Sequence, residues 1–264
     1  MGGGDVTTLA LIPTDLPGSA ELRTRGELVV AGVGVAAEVF ARCGAELRDG
    51  VPDGTSLGHD ARIASVVGPA AAILTGERTA LNFLQRLSGI ATHTRRFVTR
   101  AQQGSSRVQV VDTRKTTPGW RTLEKYAVRC GGGVNHRVGL FDGVLIKDNH
   151  IAAVGSVGAA VRRARERAPL GLRIQVEVES LEQAREALDA GADFLLVDNQ
   201  SPQDMEKFVS FVAGRVPVEA SGGVTLETIA DYARTGVDRI SIGALTHSAP
   251  AADISLEWLP RSAS

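Results

Sequence analysis

The sequence predicts an α/β protein whose larger part is a parallel sheet wound as a barrel, and three observations predict it. From Arg107 onward, short β-branched runs alternate with longer amphipathic stretches, the pattern of strands joined by helical crossovers. The predicted strands end one after another in polar residues, as barrel strands do where chemistry sits at their C-terminal ends. Upstream of Arg107, strand-like patches broken by glycine and proline lead into one long helix, so the chain divides into two domains, 1–104 and 105–251.

In the first domain, Glu21–Val30 and Ala61–Leu74 carry the strand patches, separated by Gly32, Gly34, Gly50, Pro52, Gly54 and Gly58, and Val35–Cys43 reads as a short helix. Thr75 is placed to cap a helix in which Ala80, Phe83, Leu84, Leu87 and Ile90 recur at helical spacing. That helix should end near Gln103, where Gly104-Ser105-Ser106 breaks it. Strands are then expected at Val108–Val111, Gly143–Ile146, Ile174–Val178, Phe194–Val197, Pro217–Ala220 and Arg239–Ile242. Helices are expected at Ile151–Ala168, Leu181–Ala190, Gln203–Val212 and Thr225–Thr235, with Gly191 and Gly236 just past two of them as helix-ending glycines. Parallel strands in this order need right-handed crossovers. Pattern does not show closure, so a doubly wound open sheet stands beside the barrel as the alternative.

Composition excludes several classes. At 264 residues the chain buries a substantial core, and 43% apolar with 22% charged residues is ordinary for a soluble globular protein. A net charge of -1 argues against nucleic acid or an anionic membrane as partner, so any basic site is local. No apolar run reaches the ~20 residues of a membrane span, and the start lacks the basic and apolar regions of a signal peptide, so the expected location is cytoplasmic. Cys43 and Cys130, without CxxC spacing, read as reduced thiols.

The local basic site lies between Asp112 and His150. Three polar motifs follow or interrupt apolar runs there and are expected at strand ends: Asp112-Thr113-Arg114-Lys115-Thr116, Gly131-Gly132-Gly133-Val134-Asn135-His136-Arg137 and Lys147-Asp148-Asn149-His150. They gather Arg114, Lys115, Arg137 and Lys147, with His136 beside them; such cations repel unless an anion binds among them. Arginine offers a planar fork for carboxylate or phosphate and lysine a point charge. The bland reading is a set of surface ion pairs with Asp112, Glu124, Asp142 and Asp148. His136 suits anion binding or proton transfer, against a structural role, while His59 and His93 read as structural. Lys147 is also a candidate for Schiff-base chemistry.

Glu177 and Asp198 end successive predicted strands and could share one magnesium ion, which needs only one or two carboxylates beside phosphate oxygens. Alternation puts Glu177 and Glu179 on the same face, so the pattern alone does not choose between them. Ser221-Gly222-Gly223 and Ile242-Gly243-Ala244 follow the last two predicted strands, where barrel phosphate sites lie; the bland reading is a pair of tight turns.

Taken together, these motifs resemble quinolinate phosphoribosyltransferases. The resemblance rests on Asp112 to Gly119, Glu124 to Arg137 and Leu145 to His150, with Glu77 to Asn82, Ala220 to Gly223, Gly243 to His247 and Gly4 to Thr8 in support, and it spans nearly the whole chain. It implies an N-terminal α/β sandwich-like domain, an open α/β barrel, and a tail, 252–264, returning to the first domain. It implies phosphoribosyl transfer from phosphoribosyl pyrophosphate to quinolinate with decarboxylation, giving nicotinate mononucleotide, in a magnesium-dependent homodimer or higher even oligomer. By the same resemblance Arg114, His136, Arg137 and Lys147 hold the quinolinate carboxylates, with Thr113 and Lys115 adjoining and Lys115 reaching phosphate. Glu177 and Asp198 face ribose and magnesium pyrophosphate. Ser221, Gly222, Gly223, Ile242, Gly243 and Ala244 bind the 5′-phosphate with His247 close by, and Arg78 reaches the partner subunit's site. Two departures stand out: only Met1-Gly2-Gly3 precede Gly4, where the family carries a further helical segment of the subunit interface, and Trp120 replaces a smaller aliphatic residue. The rival readings are a paralogue acting on another base, a phosphate-binding lyase using Lys147, and a non-catalytic nucleotide sensor.

Overall fold

The computed structural model describes residues 4–259. In chain order its elements are α1 (Val6–Leu11), β1 (Pro17–Thr24), β2 (Leu28–Val29), α2 (Val33–Cys43), β3 (Glu46–Arg48), β4 (Ser56–Leu57), β5 (Arg62–Pro69) and α3 (Ala70–Gln102). There follow β6 (Gln109–Val111), α4 (Arg121–Cys130), β7 (Val144–Ile146), α5 (Asp148–Val154), α6 (Val157–Arg167), β8 (Ile174–Val178), α7 (Leu181–Asp189) and β9 (Phe194–Asp198). The last are α8 (Pro202–Val212), β10 (Val218–Ser221), α9 (Ile229–Arg234), β11 (Arg239–Ser241), α10 (Ala244–His247) and β12 (Ile254–Trp258).

The chain forms two compact units. One contains the chain up to Arg95, Tyr126–Gly132 and the chain from Ala249; the other contains Arg96–Lys125 and Gly133–Ser248. In the first, a sheet of order β12-β1-β5-β3 is antiparallel throughout, and β12 enters it by pairing with β1. Its core gathers Leu22, Ile63 and Val66 from the sheet, Phe40 from α2, and Ile73 and Leu84 from α3. Asp53 holds the start of α2: its carboxylate accepts from the Gly32 and Val33 N–H groups at 2.9 and 3.1 Å, and from the Tyr126 hydroxyl at 2.6 Å. Hydrogen bonding to that carboxylate and burial hold the Tyr126 phenol well above its usual pKa.

The second unit is built on a parallel sheet of order β6-β11-β10-β9-β8-β7. β6 and β7 are its two edges, so the barrel is open between them. Strands buried on both faces explain the apolar runs: in β9 Phe194, Leu195, Leu196 and Val197 are all buried. Side-chain oxygens of Ser156, Ser180 and Ser201 cap α6, α7 and α8.

Several elements differ from expectation for local reasons. The long helix starts at Ala70, directly after β5, and Thr75 lies inside it with its hydroxyl donating to the Ala71 carbonyl at 2.7 Å. The stretch expected as one helix from Ile151 is two, split at Gly155 and Ser156, whose hydroxyl caps the second. The helix expected from Thr225 starts at Ile229, because Thr228 accepts from the Thr225 N–H at 3.0 Å and turns the chain first. Helix α4 was not foreseen, and it moves the glycine triplet from a strand end to a helix end.

Gly89 on α3 packs so closely on the tail that an added methyl would strike the Pro250 carbonyl and lie 3.0 Å from the Ala251 Cα. Gly89→Ala should therefore destabilise by about 1–3 kcal/mol despite its better helix propensity. A Tm equal to or above wild type in thermal denaturation would show that the tail gives way freely.

Candidate active site

The open barrel has one chemically distinctive face. Alternation along parallel strands sends every second side chain to the same side. Leu145 of β7 with Lys147 just beyond it, Glu177 of β8, Leu196 and Asp198 of β9, Glu219 and Ser221 of β10, and Ser241 of β11 all line one cavity of ≈410 Å³. Asp112, Thr113, Arg114, Lys115, His136 and Arg137 complete it from the loops after β6 and α4, with Arg121 from the start of α4. The register aligns Asp198, Ser221 and Ser241 across three neighbouring strands. The ambiguity between Glu177 and Glu179 is resolved by strand length: β8 ends at Val178, and Glu179 is exposed beyond it with its N–H donating to Gln183 at 2.7 Å.

The cationic wall hangs on a buried ion pair. Asp112 and Lys125 are 0% and 2% exposed and bond directly through Oδ1 and Nζ. Asp112 also accepts from Asn135 Nδ2 at 2.6 Å and the His136 N–H at 2.9 Å, while Lys125 donates to the His136 carbonyl at 3.1 Å. The pair thereby ties β6, α4 and the Asn135–His136 turn into one piece. Burial pushes the Asp112 carboxyl up and the Lys125 ammonium down, and each partner's charge opposes the shift of the other.

The nearby acids expected as partners for the cations are committed elsewhere. Asp112 serves Lys125; Glu124 accepts from the Thr117 N–H and hydroxyl at 3.1 and 2.8 Å; Asp142 accepts from the Val138 and Gly139 N–H groups at 2.7 and 2.8 Å; Asp148 takes the Asn149 N–H at 2.7 Å. Among the described residues, Arg114, Lys115 and Arg137 therefore have no ion-pair partner within 4.0 Å. Burial, and then the neighbouring Arg114, lower the pKa of the Arg137 guanidinium. Lys147 differs: its ammonium is bonded to Glu177. An anion entering this cavity would relieve the repulsion between the two guanidinium groups and replace lost water as their partner.

Arg121, absent from the sequence reading, connects three loop segments. It donates to Thr116 Oγ1 at 3.2 Å, the Arg114 carbonyl at 3.3 Å and the Val138 carbonyl at 3.3 Å. Glu219 and Ser241 were likewise missed, though both stand where the two-residue alternation would have put them. Gly222 and Gly223 lie just beyond β10 with φ of 89° and 63°, and a side chain at Gly222 would collide with Asn199. An added Cβ at Gly243 would be 3.1 Å from both Lys115 Cδ and His247 Nε2, so this turn stands against the Arg114–Lys115 loop. Thr246 fastens that contact by donating to the Lys115 carbonyl at 2.8 Å. Ile242 is buried, Ala244 begins α10, and Arg78 is exposed on α3, outside the cavity lining. Trp120 is half-buried, its N–H closing a turn on the Thr117 carbonyl at 3.0 Å.

Two family models cover almost the whole chain: the quinolinate phosphoribosyl transferase N-terminal domain matches residues 5–88 and the C-terminal domain residues 90–257. The chain belongs to the quinolinate phosphoribosyltransferase family. It is 45% identical over 259 residues to the probable carboxylating nicotinate-nucleotide pyrophosphorylase of Bacillus subtilis, covering 97% of this chain and 89% of that one. The human carboxylating nicotinate-nucleotide pyrophosphorylase is 40% identical across 94% of this chain and 84% of its own. The solved nicotinate-nucleotide pyrophosphorylase of Francisella tularensis superposes with a TM-score of 0.93 at 39% identity, covering 98% of this chain and 91% of that chain. Family membership thus agrees with the two-unit α/β fold and with a cavity built for anions.

Breaking the Lys125–Asp112 pair from one side strands a buried carboxylate. Lys125→Met should cost about 3–5 kcal/mol, and adding Asp112→Asn should restore part of that. Urea unfolding of the two single variants and the double variant measures the coupling; strictly additive losses would show that the pair does not act as a unit.

Proposed function

We propose that this chain transfers the phosphoribosyl group of phosphoribosyl pyrophosphate to quinolinate with loss of carbon dioxide, forming nicotinate mononucleotide and pyrophosphate in NAD biosynthesis. The observation that carries this reading is the cavity itself: guanidinium groups that have no ion-pair partner among the described residues line it together with two carboxylates at strand ends. A dicarboxylate base and a polyphosphate sugar need that combination. Arg114, Arg137 and Lys147 hold the quinolinate carboxylates, with His136 beside Arg137, and Thr113 and Lys115 extend the cationic wall toward phosphate. Ser221 to Gly223 and Ile242 to Ala244, with His247 near them, receive the 5′-phosphate through backbone N–H groups that glycine leaves accessible.

The ring nitrogen of quinolinate attacks the anomeric carbon as the bond to pyrophosphate breaks. Positive charge grows on the ribose, where Glu177 and Asp198 stabilise it. The charge then rests on the ring nitrogen. The adjacent carboxylate leaves as carbon dioxide, its bonding pair staying on the ring carbon beside the cationic nitrogen that stabilises it, until that carbon takes a proton from water. Lys147 needs no covalent bond to substrate, and its ion pair with Glu177 holds its ammonium in place. Holding two polyanions in register accounts for much of the rate, since oriented binding is worth about 7–11 kcal/mol.

Magnesium fits these residues as a shared ion. Glu177 and Asp198, which both line the cavity, would hold it together with pyrophosphate oxygens. When bound, it neutralises charge on the departing pyrophosphate. The enzyme works as a homodimer in which Arg78 reaches the partner's cavity; the exposed apolar residues Val6, Leu9 and Leu11 of α1 support self-association. It acts in the cytoplasm, in keeping with its bacterial relatives. None of its described helices is long and apolar enough to cross a membrane.

Pyrophosphate release from phosphoribosyl pyrophosphate with magnesium, measured with quinolinate and with nicotinate, tests the reaction. Release with quinolinate alone, together with nicotinate mononucleotide and carbon dioxide, is expected. Silence from folded protein that still binds phosphoribosyl pyrophosphate would overturn the proposal. For the shared arginine, Arg78→Ala mixed with Lys147→Ala should regain partial activity once subunit exchange is verified; no recovery would place Arg78 outside the site.

A further inference from the structure

The floor of the cavity holds a polar chain that the reaction above does not use. Glu219 is 0% exposed and Gln175 7%, yet both are polar residues on barrel strands. Gln175 Nε2 donates to Glu219 Oε2 at 3.0 Å, Gln175 Oε1 lies 2.9 Å from His136 Nε2, and the Arg137 N–H donates to His136 Nδ1 at 2.8 Å. The other Glu219 oxygen, Oε1, has no hydrogen-bond partner and stands 3.6 Å from His136 Nε2.

The hydrogen bonds leave one consistent assignment. A carboxylate accepts, so the amide NH₂ of Gln175 must face Glu219 and its oxygen must face His136. His136 Nε2 must then carry a proton. From the other end, a backbone N–H only donates, so His136 Nδ1 must be bare. The free Oε1 adds to this, because a negative oxygen 3.6 Å away favours the proton on Nε2. Both ring nitrogens are engaged by the protein, and neither is available to a ligand.

We propose that Glu219 is a positioning residue for quinolinate: acting through Gln175, it fixes His136 as the Nε2–H tautomer and so holds the Arg137 backbone, and with it the guanidinium, in place. This rests on the proposed reaction for its kinetic consequence but not for its structural one. His136 then acts on the dicarboxylate through Arg137 rather than by donating to it. The chain reaches the quinolinate side of the cavity only, so the phosphoribosyl side should be insensitive to it.

The test joins a spectroscopic readout with kinetics on the full-length protein. In ¹⁵N-histidine-labelled wild type at neutral pH, the His136 ring, assigned by loss of its signals in His136→Asn, should show the Nε2–H tautomer without any substrate present. Glu219→Gln can present an amide NH₂ to Gln175, letting the Gln175 amide flip and releasing the tautomer preference. Its His136 signals should shift toward the Nδ1–H form, and the quinolinate KM should rise about tenfold with the phosphoribosyl pyrophosphate KM within twofold of wild type. Gln175→Leu, which removes the bridge but leaves the Glu219 carboxylate near Nε2, should raise the quinolinate KM likewise. A wild-type His136 found as the Nδ1–H tautomer or as imidazolium overturns the proposal even if the variants fail to fold. Folded variants that keep the wild-type tautomer and quinolinate KM overturn it as well, as does equal loss of both KM values. Absence of turnover in wild type would instead refute the proposed reaction while the tautomer measurement still decides the chain.

Discussion

The site depends on one buried ion pair. Asp112 follows the last residue of β6, Lys125 lies in α4, and their contact carries Asn135 and the His136 backbone with it. Two charges taken out of water are costly, and burial opposes each of them. What justifies that cost here is geometry. A hydrophobic contact at the same place would hold β6 against α4 but would leave the turn between Asn135 and Arg137 without fixed partners. The pair directs its hydrogen bonds into the backbone of that turn, and the two guanidinium groups are carried on loops anchored by it.

Anchoring also explains why positive charge can be concentrated in so small a volume. Glu124 and Asp142, which could have neutralised Arg114 or Arg137, are spent on backbone and hydroxyl donors of their own loops. The loops gain order, and among the described residues neither guanidinium has a carboxylate within ion-pair distance, though the Asp142 charge still acts on Arg137. Arg121 reinforces the same segments through carbonyl and hydroxyl acceptors rather than through a carboxylate. The carboxylates follow a different rule: Glu177, Asp198 and Glu219 come from strands, where the two-residue repeat fixes direction and hydrogen-bond register fixes depth. Cations carried on anchored loops and carboxylates carried on strands suit a reaction that must seat two anions and then stabilise a cation between them.

The parallel strands and the order of the motifs were legible because both rest on local chemistry. Short strand patterns rich in β-branched residues and Gly191 just after α7 are properties of a few neighbouring residues. Elements whose ends are set by distant contacts were not legible. Thr75 has the chemistry of a cap but sits within α3, which begins as soon as β5 ends. Helix α4 buries Lys125 and Glu124 on its inner side, so its polar sequence hides a core-facing helix.

From sequence alone, then, came the α/β class, the cation cluster and the family, since residue order and short-range pattern encode them. Which acid each cation faces was decided only by the tertiary structure. Asp112 turned inward to Lys125, Glu177 rather than Glu179 reached the cavity, and Glu219 met Gln175 across two strands. Electrostatic partners are chosen by distance and burial, and both are properties of the folded chain.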